Sequence, residues 1–291
     1  MALKPFNGEF EPASSGNKPK KLKPFTGEAP LSSEPTPRSG MLRRTVGDSA
    51  VTALKSAIAV PELAVGLADL ASGGRAGKAL EGAGFRPKEA KSILDGMYSP
   101  EQQAANARVA EADGFIGTGK AMLDNPSTIA HTVGESIAPM LAGGVLARGL
   151  GAVSKAPAWV RGAAGEGIVS AGMAAEGVRQ QTDDGLLTAE QSLLAGGSGL
   201  ATGLIGAGGA KLAQRLGIGE VDTLLAGGAD AAQASSKGVA RKVAEGAVVE
   251  GVLQEAPQSA QEQVAQNLAL DHPAGEGVGS ALAAGMLAGG V

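Results

Sequence analysis

Gln191-Ser-Leu-Leu-Ala-Gly-Gly-Ser-Gly-Leu-Ala-Thr-Gly-Leu-Ile-Gly-Ala-Gly-Gly-Ala210 runs for twenty residues without a charge, and seven of them are glycine. A helix of about that length crosses a bilayer core. The stretch is nevertheless poor in the Leu, Ile and Phe that hold a helix in lipid. Each glycine costs a helix roughly 1 kcal/mol against alanine, so the segment makes sense only where helix backbones approach closely. Gly199, Gly203 and Ala207, spaced four apart, share one face of such a helix. The device returns near the C-terminus, where Gly277, Ala281, Gly285 and Gly289 recur every four residues. These two seams predict helices that pack on one another through small residues.

Composition points the same way. The chain has 291 residues, 46 of them glycine, no cysteine and 2% aromatic side chains. Bulky side chains supply most of the area buried in a core, so an Ala/Gly chain gains stability from assembly or from a lipid-like environment. Without cysteine there is no disulfide framework, thiol nucleophile or zinc-thiolate site. Charge is uneven: residues 1–44 sum to +4 and residues 45–291 to −8. Pro, Gly and Glu interrupt the N-terminus and no apolar run follows them, so no secretory leader is legible.

Residues 1–44 read as an extended, basic, Pro/Gly/Ser-rich tail. Leu3-Lys-Pro-Phe-Asn-Gly-Glu9 returns as Leu22-Lys-Pro-Phe-Thr-Gly-Glu28 with one change in seven. The repeat reads either as low-complexity drift or as a docking motif used twice. In the docking reading Lys4, Pro5, Phe6, Gly8 and Glu9, and again Lys23, Pro24, Phe25, Gly27 and Glu28, meet a partner, with Phe6 and Phe25 as anchors. Lys18, Lys20, Lys21 and Lys23 could contact phosphate, although a solvated tail is the plain account.

After the tail, a helical segment spans 45–125 and a glycine-zipper helical region spans 126–291. Helices are expected near 45–71, 87–97, 100–112, 126–151, 157–181, 188–215, 219–234, 236–269 and 275–291. Ser99-Pro-Glu-Gln102 and Thr188-Ala-Glu-Gln191 are capping boxes, and Asn125-Pro126 opens another helix. Sustained alternation is missing, so the fold class is all-α: Gly/Ala-rich hairpins or a bundle. Residues 165–182 with 191–210, and 245–268 with 277–291, read as one unit used twice, or as the sameness of Ala/Gly/Glu/Gln helices. Val291 falls in an uncharged run with no capping residue, which predicts that the chain continues.

Motifs for chemistry are weak. Gly114-Phe-Ile-Gly-Thr-Gly-Lys120 fits a phosphate loop, but Ala121 stands where Ser or Thr should be and no strand precedes it. It is read as a helix-breaking turn. Asp183-Asp-Gly185 is read as a helix–turn–helix corner rather than a calcium loop. His131 and Glu135 share a face at metal-ligand spacing, and with no third ligand they are read as a polar helix contact. Glu135-Ser136 is similar to the Glu-Ser pair of lytic transglycosylases, without the aromatic-rich sequence that should follow. No catalytic residue, cofactor or metal is assigned, and the segment is read as non-enzymatic. Trp159, between Lys155 and Arg161, suits a membrane interface or fills a gap in the bundle.

The helix around Ala164-Gly-Glu-Gly-Ile-Val-Ser-Ala-Gly-Met-Ala-Ala-Glu-Gly-Val-Arg-Gln-Gln181, the glycine-rich 191–210 segment and the Gln-rich 254–267 helix resemble the internal core, or DNA-ejection, proteins of short-tailed bacteriophages. The likeness covers roughly residues 126–291. It implies a virion protein held above the portal that leaves through the tail and helps build a conduit for genome delivery across the host envelope. The implied partners are further copies of the chain, a ring-shaped virion protein (portal, tail or another core protein) met by the N-terminal tail, and the host inner membrane. DNA would be passing cargo. The implied locations are the virion interior or tail, then the host periplasm and inner membrane. The translocation region of a large bacterial toxin or effector, a purely structural virion protein, and an enzyme with its catalytic domain beyond Val291 stay open beside it.

Overall fold

The computed structural model describes residues 38–216 and 248–289. It is all-α: ten α-helices and one π-helical stretch, with no strand among the described residues. In order these are α1 (Arg38–Ser72), α2 (Arg75–Gly82), α3 (Pro87–Asp95), α4 (Pro100–Ala110) and α5 (Gly114–Asp124). Then come α6 (Pro126–Val153), α7 (Ala158–Arg179), α8 (Ala189–Leu216), the π-helical Val248–Glu255, α9 (Ala256–Ala269) and α10 (Val278–Gly289). The Phe6 and Phe25 repeats, and the helix expected at 219–234, lie outside the described residues.

Local chemistry starts several helices where the sequence places them. At α8 the capping box closes in both directions. Gln191 N–H donates to Thr188 Oγ1 (3.1 Å) and Thr188 N–H donates to Gln191 Oε1 (2.9 Å). At α4 only half of the box forms. Gln102 N–H donates to Ser99 Oγ (3.3 Å), while Ser99 N–H donates to Asp48 Oδ1 (2.7 Å) and its hydroxyl to Asp48 Oδ2 (2.7 Å). A carboxylate from α1 thus replaces the local glutamine, whose own amide donates to Asn106 Oδ1 instead.

Gly114–Lys120 is a correction. The stretch is not a helix-breaking turn: it opens α5, and Gly114 (φ 66°) makes the left-handed bend that precedes it. α5 is held from outside. An added Cβ on Gly279 of α10 would lie 2.9 Å from Phe115 N, so the two backbones touch. α2 has no signature in its own sequence either. Its first turn is capped from α1, where Asp69 Oδ1 accepts from Gly77 N–H (2.8 Å) and Ser72 Oγ from Ala76 N–H (3.2 Å).

α7 is the central helix and packs against α1, α6 and α8. α8 returns antiparallel beside it after a turn in which Thr182 Oγ1 donates to the Leu186 carbonyl (3.0 Å). α9 and α10 form a second antiparallel hairpin against α8 and α5. The core where the hairpins meet is small: Ala175, Val178, Leu187, Ala195 and Ala269, with Leu70, Leu194 and Leu270 against it. α1 runs along α7 and α6, so the helical segment before residue 126 is packed on the helices after it.

Candidate functional site

Three of α7's contacts are made through missing side chains. Facing α8, a Cβ on Gly167 would lie 2.6 Å from the Gly199 carbonyl oxygen, and one on Gly203 would lie 2.8 Å from that of Ala163. Facing α6, a Cβ on Gly165 would run into the Gly143 carbonyl and would lie 3.2 Å from Ala147 Cβ. Facing α1, a Cβ on Gly172 would lie 2.9 Å from the Leu63 carbonyl oxygen, and one on Gly66 would run into the Gly172 backbone. Real Cβ atoms do not approach so closely, so these positions set the interaxial distances of the bundle.

Polar side chains lock the same helices. Arg179, 2% exposed, donates through Nη2 and Nε to the two oxygens of Glu176 (2.8 and 2.9 Å) and through Nη1 to Glu81 (3.1 Å). Asp69, fully buried, lies 3.1 Å from Arg179 Nε. That oxygen makes no hydrogen bond, so the contact is an ion pair off the hydrogen-bond line. The hydrogen bonds that Arg179 donates to Glu176 raise its pKa above the ordinary value and burial opposes them only in part, which fixes the positive charge.

A second cluster ties α6 to α1. Lys55 bridges Glu135 (2.6 Å) and Asp95 (2.9 Å), and its ammonium stands 5.6 Å from the Tyr98 ring centre. Thr52 Oγ1 bonds His131 Nδ1, Tyr98 Oη (3.0 Å) and the Asp48 carbonyl (3.0 Å). Burial pushes the Tyr98 hydroxyl above its ordinary pKa. His131 and Glu135 therefore make polar helix contacts across this joint, and no group of three His, Asp or Glu that could hold a metal occurs among the described residues.

A third network joins the two hairpins. Glu262 of α9 accepts from Ser170 Oγ (2.6 Å) on α7 and from Thr202 Oγ1 (2.8 Å) on α8, while Gln258 bonds Glu166 and the Thr202 carbonyl (3.2 Å). It borders a groove of about 450 Å³ whose other wall is apolar, with Val133, Ile137, Met140, Val169 and Met173. The groove leaves one side of α6 uncovered.

The outward face of α6 is the largest anomaly. Ile137, Leu141 and Val145 recur every four residues and are 51, 52 and 67% exposed. In its most apolar eighteen residues, mean hydropathy 1.4, only 11% are buried, against 44% for the comparable window of α1. By length and composition these two helices could each cross a bilayer. α8 has a similar outer row in Leu193, Leu200 and Leu204, with Gly197 between them and Gly208 one turn beyond, and nothing within 4 Å of an added Cβ at either glycine.

Of the residues singled out in the sequence, Gly199 and Gly203 of α8 pack against α7, and Ala207 lies half-buried one turn further along α8. Gly285 faces Ser259 and the Glu255 carbonyl, a Cβ on Gly289 would lie 3.0 Å from Gly251 Cα, and Ala281 is half-buried beside them. Gly277 is not part of that seam: with φ 68° it makes the bend before α10, against Gln263. Trp159 is half-buried in the first turn of α7. Sequence reasoning missed Gly66, Gly143, Gly165 and Gly172, whose partners are scattered through α1, α6 and α7 without a four-residue period. No family model, curated protein or solved structure matches the chain.

Proposed function

We propose that the protein is a non-enzymatic assembly protein whose apolar helix faces engage a bilayer and further copies of the chain, acting as an internal virion protein that helps carry a phage genome across the host envelope. The assembly part of this reading rests on one observation: α6 is long and apolar enough to meet a bilayer core, and its largest side chains face outward. Covering the exposed half to two-thirds of Ile137, Leu141 and Val145 would gain about 1–2 kcal/mol for each side chain, enough together to drive the helical body onto lipid or into a ring. The attribution to genome delivery rests on the sequence resemblance of residues 126–291.

Mass by light scattering, combined with flotation on vesicles, tests the reading. A discrete oligomer that floats with lipid is the expected result. A monomer that stays with the aqueous fraction at every lipid concentration would overturn it. A lipid-indifferent oligomer would leave a structural virion protein as the account.

A further inference from the structure

Between Glu135 and Glu166 the chain has no acidic residue and three basic ones, Arg148, Lys155 and Arg161, together with Trp159, the only tryptophan of the protein. The same chain carries a net charge of −4, so this positive stretch stands against an acidic background. The fold gathers it at one place, the elbow where α6 ends at Val153 and α7 begins at Ala158. Arg148 and Lys155 are exposed, and no ion pair involves either of them among the described residues. Arg161 reaches back onto α6, where its guanidinium occupies the space a side chain at Gly151 would need. That puts a cation on the last helical turn, where backbone carbonyls gather negative charge.

Arg148 also continues the outward row Ile137, Leu141, Val145 at helical spacing. An apolar row that ends on a long cationic side chain, next to a lysine and a half-buried tryptophan, has the order of groups found at a lipid interface. Aliphatic side chains face the acyl boundary, and basic heads and an indole meet the headgroups. Apart from the basic residues 1–44, the rest of the chain is net acidic, which turns this end of the helical body toward a negative surface.

We infer that the α6–α7 elbow is a docking surface for anionic lipid headgroups, with Ile137, Leu141 and Val145 entering the boundary below them. The inference rests on the lipid reading above and names the lipid charge and the residues that select it. A basic residue near an anionic leaflet contributes about 1 kcal/mol, or roughly fivefold in partition.

Trp159 is a built-in probe for the full-length chain, because no other tryptophan contributes to its fluorescence. Emission and quenching by brominated lipid would be followed with vesicles of phosphatidylcholine alone and of phosphatidylcholine mixed with phosphatidylglycerol. The expected result is binding that needs phosphatidylglycerol, weakens with added salt, and brings Trp159 within reach of the quencher. The double variant Arg148→Gln/Lys155→Gln should partition roughly twenty-five-fold less well. The charge-keeping pair Arg148→Lys/Lys155→Arg should bind as the parent does, with unchanged helical circular dichroism in both. Equal binding to both vesicle types, or full binding by the glutamine variant, would overturn the elbow while leaving lipid contact intact. Binding to neither vesicle type would sink both.

Discussion

Replacing Gly199 by alanine places a methyl group at the closest approach of α7 and α8. The new Cβ would lie 2.5 Å from Ala171 Cβ and 2.7 Å from Ala171 N, and would meet the Gly167 carbonyl as well. Two of those neighbours are backbone and cannot turn aside, so the helices must separate by about 1 Å to restore ordinary contact. A gap of that size forfeits a quarter to a half of each contact's attraction along the seam. Overpacking costs about 1–3 kcal/mol, and backbone neighbours put this site near the upper end. Alanine returns about 1 kcal/mol of helix propensity, so the net loss is about 2 kcal/mol. Gly197, two residues away on the same helix, is the control. Nothing lies within 4 Å of its added Cβ, so Gly197→Ala should gain about 1 kcal/mol from propensity alone. Urea unfolding followed by circular dichroism measures both, and each kcal/mol corresponds to about 2–4 °C in Tm for a domain of this size. If Gly199→Ala proves as stable as Gly197→Ala, the seam does not set the helix spacing and the packing argument fails.

Arg179→Met strands the buried Glu176 and Asp69 and should cost about 3–5 kcal/mol by denaturation, with part regained when both acids are also neutralised. Tyr98 is the only tyrosine, so ultraviolet difference absorbance titrates it alone. Its folded pKa lies above the usual 10.0 because of burial, so the native state holds this proton longer than the unfolded chain. That contribution to stability is complete below pH 10.0 and is lost as pH rises through the folded pKa, a slope that Tyr98→Phe should remove. Gly279→Ala should lift α10 from α5 and lose about 1–3 kcal/mol, because the methyl group would sit 2.9 Å from Phe115 N. Gly117→Ala, on the open side of α5, should not.

The all-α class and most helix starts were legible because caps and prolines act locally: Thr188 with Gln191, Ser99 with Pro100, Asn125 with Pro126. α5 was not, because glycines at 114, 117 and 119 depress its intrinsic propensity and α10 supplies the compensating contact, Gly279 against Phe115, from far along the chain. α2 was hidden for the same reason, its capping carboxylate standing on α1. The four-residue period pointed to Gly199, Gly203, Gly285 and Gly289, yet it also swept in Gly277, where glycine serves a positive φ. Gly66 meeting Gly172 has no period to betray it, since that contact lies between helices that run parallel and far apart in sequence. The polar joint of Lys55, Tyr98, His131 and Glu135 was visible only as the His131–Glu135 spacing, because its other members come from α1 and the α3–α4 connection.

The absence of native cysteine makes the central claim directly measurable, because a single introduced cysteine carries the only label. Cysteines placed singly at Ile137, Leu141 and Val145, and at the exposed Glu111 at the end of α4 as a reference, would carry an environment-sensitive fluorophore through titration with anionic vesicles. The account predicts that the three α6 positions move to an apolar environment while the label at Glu111 stays in water. Outward labels that remain in water at saturating lipid and at every protein concentration would contradict it.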